Sequence, residues 1–175
     1  LSVKQGTDSA LAMAMGHVIL KEYHVARRVP YFRDYLRQYT DMPMLVKLVQ
    51  QGDQLVPERF VRASDFDQSL GEANNPEWKT VAYDETTGNI VAPRGTIGFR
   101  WGESGKWNLE EKASNGEAAK LRLSLDGFQD EMAEIAFPYF GNIEHEHFTS
   151  TTHASVLNRR VPVKRLALAD GETLV

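Results

Sequence analysis

Two short runs gather residue types able to do chemistry. Near the start, Gln5-Gly6-Thr7-Asp8 places a glycine, a hydroxyl and a carboxylate directly ahead of an apolar stretch. A carboxylate there can accept two parallel N–H bonds, such as the N1–H and N2–H pair of a guanine edge. The free amides of a helix start suit a phosphate. The same residues equally make an ordinary helix start, with Thr7 as N-cap and Asp8 complementing the helix dipole. The run is neither GxGxxG nor a Walker loop. Further on, Glu144-His145-Glu146-His147 sets two imidazoles and two carboxylates side by side. His145 and His147 on one strand would share a face, as metal ligands do, but no third ligand is placed beside them, and a solvated loop accounts for the run as well.

Other chemistry is less organised. Ser, His and Asp are numerous, yet no Gly-x-Ser-x-Gly elbow or triad spacing occurs, so no nucleophile and no catalytic residue is assigned. Phe99, Trp101 and Trp107, with Arg94, Arg100 and Lys106 among glycines, could stack on bases or dock a partner. Packing into a core or interface explains them equally. Arg159 to Arg165 is a short basic run of the kind found on solvated faces or at contacts to neighbouring protein.

The elements that must position these groups follow from periodicity. Asp8 to Tyr23 reads as a buried helix, and Val29-Pro30 starts a second with Tyr31, Phe32, Tyr35, Leu36 and Tyr39 at helical spacing, ending before Thr40. Thr40 to Pro43 is a turn. Leu45–Val49 and Phe60–Arg62 form a hairpin with a loose turn over Gln50–Gln54, and Ser64–Leu70 a short capped helix. Trp78–Tyr83 and Ile90–Ala92 make a second hairpin around Asp84–Asn89. Residues 93–107 form an irregular Gly/Trp segment, Lys112–Lys120 a mobile loop, Leu121–Leu125 a strand, and Ile135–Phe140 an apolar run ending in a turn. Pro162–Leu168 and Thr173–Val175 flank a hairpin turn at Ala169–Glu172. The class is α+β: residues 1–43 are the helical part with its helix start facing a ligand, and 44–175 are mostly β hairpins and loops within one partial domain.

Composition sets the outer limits. The 175 residues suffice for one domain, and 42% hydrophobic against 25% charged residues is a globular balance. A net charge of −4 gives no reason to bind nucleic acid. No cysteine is present, which excludes disulfides, a thiolate nucleophile and cysteine-held clusters in this segment. No apolar run reaches the roughly 20 residues of a membrane helix. The chain opens on Leu1 without Met, as a piece of something larger would.

Longer stretches carry a resemblance. Lys4–Asp8 followed by Ala10–Val18 resembles the Gly-Thr-Asp helix start of the molybdopterin oxidoreductases, the dimethyl sulfoxide reductase superfamily. Tyr39–Val46, Asn74–Ala82, Ile97–Glu103 with Gly105–Glu110, Phe137–Gly141, and Pro162–Leu166 with Leu168–Gly171 resemble the alpha, catalytic subunits of respiratory nitrate reductases in particular. Departures fall in Gln50–Arg59, Lys112–Lys120 and Asn142–Asn158.

The resemblance implies an internal fragment of a much longer subunit that reduces nitrate to nitrite in anaerobic respiration. The parent's molybdenum is held by two molybdopterin guanine dinucleotides, and electrons arrive from quinol through iron–sulfur clusters, including a 4Fe-4S site with no ligand here. It implies a peripheral complex on the cytoplasmic face of the membrane with an iron–sulfur beta subunit and a membrane cytochrome subunit. The fragment itself is expected to be soluble and inactive alone, and its bared edges could make an artificial homodimer. Gly6, Thr7 and Asp8, with Gln5 and Lys4 beside them, match the loop that approaches one guanine dinucleotide. A stand-alone interaction module using the Trp/Gly segment is the alternative.

Overall fold

A computed structural model describes residues 4, 6–94, 111–123, 126, 131–138, 144–145, 148–149 and 156–175. Helices come first and strands after, a mixed α and β architecture as the periodicity predicts. Helix α1 spans Asp8–Leu20 and runs into a π turn at Lys21–Ala26. Arg28 at φ 50° then breaks the direction. Pro30 at the first helical position opens α2, Pro30–Tyr39, with Val29 extended before it. The α-helical part of the first element thus ends at Leu20, before the expected Tyr23, although helical turns continue to Ala26, and the second ends where the turn signal placed its end.

The burial of both helices departs from expectation. No residue of α1 is buried, although its sequence is that of an interior helix, because nothing among the described residues lies over it. Helix α2 buries Leu36 and Arg37 and turns its tyrosines outward, with Tyr31 80% exposed. Those rings form a ladder along the helix. Tyr23 to Phe32, Phe32 to Tyr35 and Tyr35 to Tyr39 have centroids 5.9, 6.3 and 4.8 Å apart. Arg33 Nη2 holds Asp126 Oδ2 at 2.5 Å, and the Asp126 side chain is almost fully buried.

The main sheet has four strands in the order β1-β2-β5-β8, with β1 Val46–Gln51, β2 Gln54–Phe60, β5 Met132–Pro138 and β8 Val156–Pro162. Strands β1 and β2 pair antiparallel around Gly52-Asp53, closed by Gln51 opposite Gln54. The hairpin exists, but its second strand begins six residues before the expected Phe60, because Gly52 at φ 58° allows a tight turn in place of a loose one. A register shift between Lys47 and Leu48 accommodates Pro57. Strand β5 meets β2 in parallel through Leu55 and Ile135, and pairs antiparallel with β8 from Met132–Pro162 to Pro138–Val156. The basic run Arg159–Arg165 thus lies largely on the outer strand of this sheet, with Arg159 and Arg160 exposed.

Three small two-stranded hairpins are formed besides the sheet. Strands β3, Ala82–Tyr83, and β4, Ile90–Val91, pair as expected, while Pro76–Trp78 forms a 3-10 turn where the strand was expected to begin. Strands β6, Glu144–His145, and β7, Phe148–Thr149, pair antiparallel. Strands β9, Arg165–Leu168, and β10, Gly171–Leu174, close around Ala169-Asp170. The short helix expected at Ser64–Leu70 is instead a 3-10 turn at Ala63–Asp65 followed by a left-handed stretch. Gln68, Ser69 and Leu70 have φ near +50° there. Asp65 explains the first half, since it accepts from the Arg62 amide at 2.8 Å and pairs in a fork with Arg59 at 2.7 and 2.8 Å.

The expected mobile loop at Lys112–Lys120 is also corrected. Lys112 bridges Ala118 and Pro93 bridges Ala113, and Ala113 and Ala119 are buried. Small residues let this turn press onto the β3–β4 hairpin. Of the strand expected over Leu121–Leu125, the structure shows a bridge between Leu121 and Asp84 and a buried Leu123, while residues 124 and 125 lie outside the described residues. The core gathers Leu45, Val61, Ala63, Val81, Ala92, Leu166, Leu168 and Val175. Its centre is a triangle of backbone bonds. Leu45 N donates to Val81 O, Val61 N to Leu45 O, and Val81 N to Val61 O at 2.9, 2.8 and 3.1 Å.

Candidate functional site

The helix start is built by a single turn. Gly6 takes φ 80°, where a side chain would be strained and where an added Cβ would meet nothing within 4 Å. That conformation brings the chain back so that the Thr7 amide and hydroxyl both donate to Lys4 O, at 3.2 and 2.6 Å. Thr7 occupies the N-cap position and its carbonyl accepts from Leu11 N at 3.1 Å. Its hydroxyl does not cap, because it is already committed to Lys4. Thr7 thus stands at the expected N-cap position, but without the side-chain bond that such a residue usually makes. The first-turn amides are left without a side-chain acceptor. Asp8 is exposed in that first turn and makes no hydrogen bond or ion pair among the described residues.

This arrangement offers a free carboxylate, free amides at the positive end of a helix, and open space over Gly6. These are the kinds of donor and acceptor that a purine edge and a phosphate can pair with. Gln5 lies outside the described residues. Lys4 contributes its carbonyl to the turn, and its side chain is exposed.

Most of the remaining candidates lie outside the described residues. Strand β6 holds Glu144 and His145, while Glu146 and His147 lie outside the described residues, as do Phe99, Trp101 and Trp107. Among the described residues no group of three or more His, Asp or Glu could hold a metal ion. No described helix is long and apolar enough to cross a membrane.

A cavity of about 790 Å³ that periodicity did not reveal lies between the left-handed turn, β4 and the turn at 113–119. Glu72 faces it, bonded to both Lys79 and Ser114. Burial raises the Glu72 carboxyl, but those two partners outweigh it and hold the pKa below the usual range. Asp84 lines the same wall at 1% exposure. It accepts from Thr86 N at 3.0 Å, Thr87 N at 3.2 Å, Thr87 Oγ1 at 2.6 Å and Lys120 N at 2.8 Å. Burial pushes this carboxyl up too, and the hydrogen bonds reverse it, so Asp84 stays ionised. Both carboxylates are spoken for by structural partners, so neither is free to act as a nucleophile or base. The turn signal at Asp84-x-Thr86-Thr87-Gly88 was legible; the cavity was not, since it is formed by segments distant in sequence.

The chain's relatives belong to one class, the alpha chains of nitrate reductases, and the resemblance read from the residues is borne out. The respiratory nitrate reductase 1 and 2 alpha chains of Escherichia coli are 55% and 58% identical to it over 99% of its length, and the nitrate reductase alpha chain of Bacillus subtilis is 39% identical over all of it. The chain spans 14% of the length of the two Escherichia coli proteins and 13% of the Bacillus one. No protein-family model matches the chain.

Proposed function

We propose that this chain is a cofactor-contacting, structural segment of a nitrate reductase alpha subunit that reduces nitrate to nitrite. The observation that carries the reading is similarity to such alpha chains at 55% and 58% identity over nearly every residue. The helix start supports it, because the groups left free there suit a guanine dinucleotide. In this reading the segment is part of one larger domain and holds no catalytic residue.

The group proposed for the parent is molybdenum bound by two molybdopterin guanine dinucleotides, and when bound it supplies the redox metal for nitrate reduction. From this chain, the Asp8 carboxylate would accept the guanine N1–H and N2–H. Amides of the first helical turn would donate to the neighbouring phosphate, with Gly6 keeping the approach clear. Thr7 positions the turn through Lys4 O. Gln5 adjoins them. An iron–sulfur beta subunit and a membrane cytochrome subunit, with 4Fe-4S clusters held elsewhere, complete the proposed electron path from quinol at the cytoplasmic face of the membrane.

The test is Asp8→Ala in the full-length subunit. A carboxylate with two donors contributes about 2–3 kcal/mol, so guanine nucleotide released on acid treatment should fall per mole of protein, with Asp8→Asn intermediate. Unchanged guanine content would overturn the role of Asp8. An unchanged guanine content in a Gly6→Val variant as well would overturn the whole helix start as a contact.

A further inference from the structure

Helix α1 has no side suited to water. From Ala10 to Leu20 it carries no Asp, Glu, Lys or Arg, and its apolar residues lie all around the circumference rather than along a stripe. Met13 is 76% exposed and Met15 58%, and at 3.6 residues per turn they point about 200° apart. Leu11, Val18, Ile19 and Leu20 are exposed between them.

Physical chemistry narrows what can cover such a helix. A bilayer needs a span of roughly 30 Å, and 13 residues of helix reach about 20 Å. A helix lying on a membrane surface, or paired with a second copy of this chain, keeps a polar face toward water. Helix α1 has none, so one-sided cover would leave half of its apolar surface in solvent. The wide clearance at Gly16, where an added Cβ would meet nothing within 4 Å, leaves room for close approach.

We propose that α1 is enclosed on opposite sides by apolar polypeptide of the same subunit lying outside these 175 residues. This rests on the reading that the chain is part of an alpha subunit, whose relatives extend well beyond the matched 14%. Enclosure also fixes the direction in which the Gly6–Asp8 turn presents its free groups.

Methionine oxidation tests it. The natively purified full-length subunit is exposed to hydrogen peroxide, and Met13 and Met15 are quantified by mass spectrometry against the urea-unfolded protein. Enclosure requires both to oxidise roughly tenfold more slowly, or slower still, in the native state. Protection of only one indicates one-sided cover, as by a second copy, and overturns the proposal; rapid oxidation of both also overturns it. Nitrate reduction is measured on the same sample. Rapid oxidation in an active enzyme sinks the enclosure alone, whereas protected methionines in a protein with neither molybdenum nor activity support enclosure and sink the functional reading.

Discussion

Asp84 and Asp8 are carboxylates in opposite circumstances. Asp84 is buried and accepts four hydrogen bonds from Thr86, Thr87 and Lys120; Asp8 is exposed and holds nothing among the described residues. The first ties the β3–β4 turn to the segment at Lys120. Asp84→Ala should therefore cost on the order of 3 kcal/mol, because it leaves several buried donors unpaired. A fall in the urea midpoint reads this out, and Asp84→Asn should retain part of the loss. Asp84 was legible because Asp-x-Thr-Thr-Gly is a turn with a mechanism. The backward-facing Thr7 hydroxyl was not, since a threonine before a helix gives no sign of which carbonyl or amide it will choose.

Among the elements, periodicity found the helices with their starts at Asp8 and Pro30 and found the hairpins, but missed where β2 and β3 begin. Strand β2 starts early because Gly52 permits a two-residue turn, which the polar run Gln50–Gln54 disguised. The left-handed residues Gln68–Leu70 carry no glycine signal until Gly71. The parallel contact of β2 with β5 depends on segments far apart in sequence and is invisible to local pattern. Ile135 sits at that contact with 0% exposure, so Ile135→Ala should destabilise the chain by about 2–5 kcal/mol in denaturant titration. Helix α1, without tertiary support among the described residues, should behave as an isolated short helix. In the 175-residue chain its amides should exchange with deuterium far faster than those of β5, and equal protection would contradict the exposure described.

At the scale of the molecule, three carboxylates give the fold its acid sensitivity. The hydrogen bond from Arg59 lowers the pKa of Asp65, and the partners of Glu72 and Asp84 lower theirs against burial. A carboxyl with a depressed folded pKa stabilises the protein above its unfolded value, near pH 4, and that contribution is lost as pH falls through the folded value. The urea midpoint should accordingly hold near neutral pH and drop below about pH 4; a midpoint unchanged down to pH 2 would contradict these assignments. An apolar helix with no buried residue beside a well-knit β core fits the proposal that its stability is shared with further chain. The central claim, membership of a nitrate-reducing alpha subunit, is tested most directly on the purified full-length protein with a reduced viologen dye as electron donor. The account expects nitrite to form in proportion to bound molybdenum, and a molybdenum-replete preparation that forms no nitrite would contradict it.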